Sequence, residues 1–521
     1  MLALCEPGAA PAAGRKQKGP RLVIQLARLG DFLQTTPLLA ALKQAHPQSP
    51  LAVLVSPAQA PLARACAWVD RVLTLDTALV EDAAGAKGES PRLRLARLCG
   101  LLGPLWSFPA AEVFNLNLSR LTAALAQGWP EARRRGWRLQ AGSLVGEPWA
   151  PFLMHLVGDR RLTRLHLVDI LASYAQPARR PLDRLDHRVA PGAAARAGEL
   201  LPPGARPVVL QLGANNDLRR WPLEFFAGLA RGLLDLGAPV VLVGSGRERV
   251  LARRLLRSLG GAAPGVRDLM GRTDLATLGG VLARAALVIS ADTGTLHLAT
   301  AVGAPVLALY MGPAQAHETG PYGAGHLVLQ ARDQCGPCQE HDPVCQGRAP
   351  CRRLITPELA LAAAQALLEG KDAAQALVGL EIPPGVDPLE GVLDAFGQRY
   401  RHLRPRPLDT ATGLALALRQ AGRLLLRPAG EKPSPRDLER ELAQEHRPAP
   451  GEHARGLAGL ARAARSLAGA AAAGDGQAAR RILAQAPGLA SLGALVGPGA
   501  PEALAPACLE AARVLEMASD I

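Results

Sequence analysis

Aromatic residues are scarce in this chain, 3% of 521 residues. That weakens any reading in which single-stranded nucleic acid is held by base stacking, since stacking needs aromatic platforms. No run of about 18 or more apolar residues occurs, so no segment reads as a membrane-spanning helix. Eight cysteines are too few to staple a chain of this length. Cys5, Cys66, Cys99 and Cys508 stand alone and read as reduced thiols. Acidic residues are outnumbered, 45 Asp and Glu against 59 Lys and Arg, for a formal charge of +14. Such a surplus favours polyanionic partners, phosphorylated substrates and anionic lipid among them; the plainer reading is a chain that uses arginine freely beside alanine, glycine and proline. Met1–Pro20 carries Arg15, Lys16 and Lys18 after a weak apolar stretch, the reverse of a secretory signal. A cytoplasmic protein is expected.

What the chain does have is apolar bulk, 49% hydrophobic residues, and a length that calls for two or three domains. Short apolar runs of strand length alternate with helical spacing. In the first part they are Arg21–Leu26, Leu51–Val55, Val72–Leu75 and Val113–Leu116. Later come Val208–Leu212, Val240–Val243, Leu287–Ser290 and Val306–Tyr310, interleaved with helices over Leu223–Leu236, Arg249–Leu259 and Leu275–Arg284 and one from about Thr295. Such alternation predicts two doubly wound parallel sheets, with ligands at the carboxyl ends of the strands. The expected division is an N-terminal extension (1–20), a first α/β domain (21–180), a linker (181–206), a second α/β domain (207–368) and an Ala/Leu/Arg-rich helical extension (369–521) without convincing strands. Pro37 is expected in the first turn of the first helix, where its missing N–H costs little.

Five segments carry candidate chemistry. Gly30-Asp31 follows the first strand; the carboxylate suits a general base or equally a helix cap. In Ser290–His297 a strand meets Asp292, Thr293 and Gly294 and then a helix start, whose free N–H groups and dipole favour a phosphate. His297 is placed to add a hydrogen bond, or is incidental to a capped helix. Leu212–Pro222 repeats the arrangement with Arg219 and Arg220, either a phosphate fork or a solvated basic pair. Val243–Glu248 is a truncated dinucleotide fingerprint in which Arg249 stands where a third glycine belongs; Glu248 suits a ribose or base contact. Cys335, Cys338, Cys345 and Cys351, with His341 nearby, allow a structural zinc or, more in keeping with their irregular spacing, a metal-free loop.

Taken together, RLVIQLARLGDFLQTTPLLAALKQAHP, VVLQLGANNDLRRWPLEFFAGLA, DLMGRTDLATLGGVLARAALVISADTGTLHLATAVGAPVLALY, MGPAQAHETGPYG and CGPC resemble the lipopolysaccharide heptosyltransferases, glycosyltransferase family 9, over about residues 20–365. The resemblance implies a GT-B fold, two Rossmann-like domains facing a cleft, and metal-independent inverting transfer of a heptose from ADP-heptose to a lipopolysaccharide core acceptor. No cofactor beyond the donor is implied. By motif, Asp31 falls on the catalytic base, Arg219 on a donor-phosphate lysine, Glu248 on the nucleoside contact, and Asp292, Thr293, Gly294 and His297 on the donor-binding segment. Arg219 for lysine, Ala291 for a frequent asparagine, and Gln211–Ala214 for a His-Pro-Gly-Ala type sequence are departures. The expected partners are the nucleotide sugar and a lipid-linked anionic glycan at the cytosolic face of the inner membrane, with no nucleic acid. The alternatives are a family member using another nucleotide sugar, or a non-catalytic module that binds a nucleotide sugar or recruits a partner.

Overall fold

The computed structural model describes residues 19–520 apart from 86–88, 148, 176–181, 262, 333–337, 339–344, 346–348, 395–396, 405, 408, 427–445, 448–450, 474–475, 487–488, 490–491 and 493–503. Cys335, His341 and most of the N-terminal extension therefore lie outside the described residues.

The first sheet is parallel throughout, in the order β3-β2-β1-β4-β5, from β1 (Arg21–Ile24), β2 (Leu51–Val55), β3 (Arg71–Thr74), β4 (Glu112–Asn115) and β5 (Arg133–Gly136). A hairpin, β6 (Arg138–Gln140) with β7 (Ser143–Val145), follows. β1 and β2 are buried at every residue, which is why they read as unbroken apolar runs rather than alternating ones.

The second sheet repeats the plan with β8 (Val208–Gln211), β9 (Val240–Val243), β10 (Val266–Asp268), β11 (Leu287–Ser290), β12 (Val306–Tyr310) and β13 (Leu327–Ala331), parallel in the order β10-β9-β8-β11-β12-β13. Two strands then continue it antiparallel, β14 (Val386–Leu393) and β15 (Gln398–His402). These correct the strandless reading of the stretch from 369. β14 contains Asp387, Pro388, Glu390 and Gly391, all poor strand formers, so local propensity hides it; pairing along β13 overrides that. Helix Pro191–Leu200 falls inside the stretch read as linker.

Helix Leu29–Ala45 begins sooner than its spacing suggests, so Pro37 sits in its interior rather than its first turn. An interior proline leaves the carbonyl four residues back without its usual donor. Here the hydroxyl of Thr36 donates to the Leu33 carbonyl at 2.7 Å, which takes up the deprived acceptor.

The two halves share one apolar core, running from Val23 and Phe32 through Leu296 and Leu298 to Val209 and Val241. The later helices Thr410–Leu426, Gly451–Ala472 and Leu504–Asp520 form a second core with Phe152, Leu156 and Leu165 of the first half. No helix among the described residues is long and apolar enough to cross a membrane.

Candidate functional site

At the centre of the molecule two helix N-termini abut, that of Leu29–Ala45 from the first half and that of Gly294–Ala301 from the second. Glycine allows close approach on both sides. A Cβ on Gly30 would come 2.7 Å from Cδ2 of His297, and one on Gly294 would come 2.7 Å from Cδ2 of Leu29. The approach brings Asp31, Asp292, Thr293, Gly294 and His297 into one neighbourhood at the carboxyl ends of β1 and β11.

Asp31 occupies the first turn of its helix, not the end of the strand. Its Oδ2 accepts the Arg28 N–H at 2.9 Å, so the capping role is real, and no hydrogen bond reaches Oδ1 among the described residues. Burial raises the carboxyl above its ordinary value; the Arg28 N–H and the nearby His297 and Arg28 pull the other way. A raised carboxyl lies closer to the working pH of a general base.

Asp292 accepts from Arg219 Nη1 at 2.8 Å, and the Tyr310 hydroxyl oxygen lies 3.5 Å from its Oδ1. Thr293 caps the Gly294 helix, its Oγ1 accepting from the Leu296 N–H at 3.4 Å. His297 is buried beneath Gly30, its Nε2 3.5 Å from Gln34 Nε2 and 3.9 Å from Asp292 Oδ1. Burial holds the imidazole below its usual value despite the pull of Asp292 and Asp31. It is therefore best described as a neutral ring between the halves.

Glu248 stands one loop further along the same sheet edge. Its Oε2 accepts the Ser245 N–H at 2.6 Å and the Ser245 hydroxyl at 2.8 Å. The carboxylate lies directly over Gly213, where any Cβ would fall 1.5 Å from Oε1. Gln211, at the end of β8, joins this loop to the helix start by accepting from the Thr295 hydroxyl at 2.9 Å. The structure thus aligns Arg219, Glu248, Asp292, Thr293 and Gly294 along the carboxyl ends of β8, β9 and β11, where open α/β sheets bind ligands.

Sequence reasoning passed over Gln34, met Gln211 only as a departure from the family pattern, and passed over Tyr310. The first two are buried polar residues; burial is the signal, and it becomes visible only once the elements pack. Of the cysteines, Cys338 and Cys351 are buried and Cys345 is half-buried. Among the described residues no group of three or more His, Cys, Asp or Glu is placed to hold a metal ion.

Charge divides unevenly between the halves. Residues 21–180 hold 19 Lys and Arg against 11 Asp and Glu, whereas residues 207–368 hold 15 against 12. Arg120 and Arg138 lie just beyond the carboxyl ends of β4 and β5, and each donates to a backbone carbonyl, of Gly142 and Gly136 respectively.

A sequence model described as glycosyltransferase family 9 (heptosyltransferase) matches residues 172–347. Lipopolysaccharide heptosyltransferase 1 of Pseudomonas aeruginosa is 36% identical over 154 residues, 29% of this chain and 42% of that protein. Lipopolysaccharide heptosyltransferase 2 of Escherichia coli is 34% identical over 104 residues, 20% of this chain and 30% of that protein. The chain therefore aligns with less than half the length of these curated relatives. In fold, it is similar to the ADP-heptose lipopolysaccharide heptosyltransferase II of E. coli, with a TM-score of 0.51 at 20% identity over 67% of this chain and 99% of that one. It is also similar to the family 9 glycosyl transferase of Veillonella parvula, with a TM-score of 0.56 at 20% identity over 69% of this chain and 100% of that one. Residues 172–347 are thus similar to glycosyltransferase family 9, and the chain as a whole carries a GT-B fold with two Rossmann-like sheets.

Proposed function

We propose that this chain is an inverting glycosyltransferase that moves a heptose from ADP-heptose to an anionic, lipid-linked core glycan, working without a metal at the cytosolic face of the inner membrane. The observation that carries this reading is the contact of the Gly30-Asp31 turn with the Asp292–Gly294 turn across the two halves. A carboxylate from one side faces a phosphate-type helix start from the other. The names of the relatives, heptosyltransferases among them, supply the sugar and the acceptor class.

In this reading the acceptor hydroxyl attacks the anomeric carbon while Asp31 Oδ1 takes its proton. The bond to the ADP oxygen breaks on the opposite face. Developing negative charge on the diphosphate is met by the amides at Gly294 and Thr295 and by Arg219, donors already oriented before the reaction. Asp292 holds Arg219 in place, and Thr293 keeps the helix start open to the ligand. Glu248 has a carboxylate oxygen, Oε1, above Gly213 for the ribose or base. The basic first half suits an acceptor bearing phosphate or carboxylate groups, with Arg120 and Arg138 at the strand ends facing it.

Incubating the chain with ADP-heptose and a lipid-linked core acceptor, and following ADP release, tests the reading. Release that depends on the acceptor and is competed by ADP rather than UDP or GDP is the expected result. Release from UDP- or GDP-sugars instead would assign another donor, and nucleotide binding without transfer would leave a non-catalytic module.

A further inference from the structure

Just behind the proposed donor site the two halves exchange a buried charge pair to which neither the sequence analysis nor the mechanism above gives a role. Arg160 follows helix Ala150–Gly158 in the first half. Its Nε donates to Glu318 Oε1 at 2.9 Å and to Oε2 at 3.0 Å, and its Nη2 also donates to Oε2. Glu318 belongs to the short helix Ala316–Thr319 after β12. Only 14% of the Arg160 side chain and 13% of that of Glu318 are exposed.

This pair sits against the donor site. Tyr310, at the end of β12, donates from its hydroxyl to the Thr319 carbonyl at 2.8 Å and reaches Asp292 Oδ1 at 3.5 Å. Both members of the pair feel the charge of Asp292, and Glu318 feels that of Arg219 as well. Two arginines therefore flank the site, each engaged by a carboxylate: Arg219 with Asp292, and Arg160 with Glu318. Burying such pairs is expensive for stability, and an apolar pair of similar volume commonly serves as well. A diphosphate accepts a guanidinium fork with the same bidentate geometry as a carboxylate and carries more negative charge.

We infer that Arg160 is a second ligand of the donor diphosphate, contributed by the first half and engaged by Glu318 while the site is empty. Binding of the nucleotide transfers the guanidinium from Glu318 to the phosphate oxygens. The donor then touches both halves, so its arrival fixes the distance between Asp31 and the anomeric carbon. This inference rests on the donor reading above and adds a residue to it.

Calorimetric titration of ADP into the full chain tests it, with Arg160→Met, Glu318→Gln and the double variant alongside. Arg160→Met should weaken ADP by about tenfold. Glu318→Gln keeps the shape but gives up the competing charge, so it should tighten ADP severalfold, and the double variant should resemble Arg160→Met. A pair that only latches the halves together gives different signs: Glu318→Gln leaves ADP affinity unchanged or weaker. That result, or an Arg160→Met affinity within twofold of the parent, overturns the inference. If Arg160→Met does not fold, the sign of the Glu318→Gln change decides by itself. Wild-type binding of ADP separates the two levels: tight ADP binding with unresponsive variants removes Arg160 alone, whereas no binding of any nucleoside diphosphate removes the donor reading and Arg160 with it.

Discussion

The two α/β halves share a plan and differ in what they put at the same place on it. Each has a buried parallel strand in mid-sheet, then a glycine turn, then a helix whose first turn points into the cleft. In the first half the turn delivers a carboxyl, Asp31, raised by burial. In the second it delivers the free N–H groups at Gly294, with Asp292 engaged by Arg219. In the proposed mechanism one supersecondary unit serves as base or as anion cradle, according to which residue follows the strand and whether a glycine opens the helix. Fold alone does not decide the role; the turn does.

That contrast predicts unequal damage from changes on its two sides. Asp31→Asn should lower turnover by roughly 10²–10⁴-fold, the usual contribution of a general base, with ADP affinity within about twofold of the parent by calorimetry. Normal turnover in this variant would erase the distinction between the halves. Gly294→Val should do the reverse. Its branched side chain crowds a turn where even Cβ comes 2.7 Å from Leu29 Cδ2, and ADP affinity should fall by roughly tenfold or more, since one charged phosphate contact alone is worth about 1.5–3 kcal/mol. Unchanged ADP affinity would count against the cradle.

A smaller effect concerns the seam between the halves. Asp169 on the first side accepts from the Tyr322 hydroxyl at 2.9 Å and the Gln398 N–H at 2.8 Å. Burial nevertheless pushes its carboxyl up to about 7. The folded state then binds this proton more tightly than the unfolded chain. Its stabilising share is complete at low pH and is lost as pH rises from about 4 through about 7. Thermal melts should show this slope, and Asp169→Asn should flatten it; an unchanged slope would assign the pH dependence elsewhere. The smallest effect is expected at the proline of the base-bearing helix. Thr36→Val removes the hydroxyl that donates to the Leu33 carbonyl and accepts the Asp186 N–H and should cost about 1–3 kcal/mol in denaturant unfolding, with little change in ADP affinity.

The strands at the heart of both sheets were legible because they are buried on both faces, which leaves continuous apolar runs such as Val240–Val243 and Val306–Tyr310. The turn at Asp292–Gly294 was legible for a local reason too: strand, glycine and helix start are adjacent in the chain. Elements whose causes are distant were not. Pro37 looked like a helix start because the hydroxyl that compensates it belongs to its neighbour and acts on Leu33. β14 is hidden by its own composition and exists through β13. Arg160 and Glu318 stand 158 positions apart, and only the packing of the halves brings their charges together.

In the proposed mechanism the carboxylate of the first half removes a proton while the second half holds the leaving diphosphate. The pH dependence of transfer under saturating donor, compared between the parent and Asp31→Asn, tests it most directly. The parent rate should fall as pH drops through a value above the ordinary carboxyl range, because burial raises Asp31 and only its ionised form accepts the proton. The asparagine variant should be slow and lack that acidic limb. Near-parental turnover with the same limb in the variant would contradict the account.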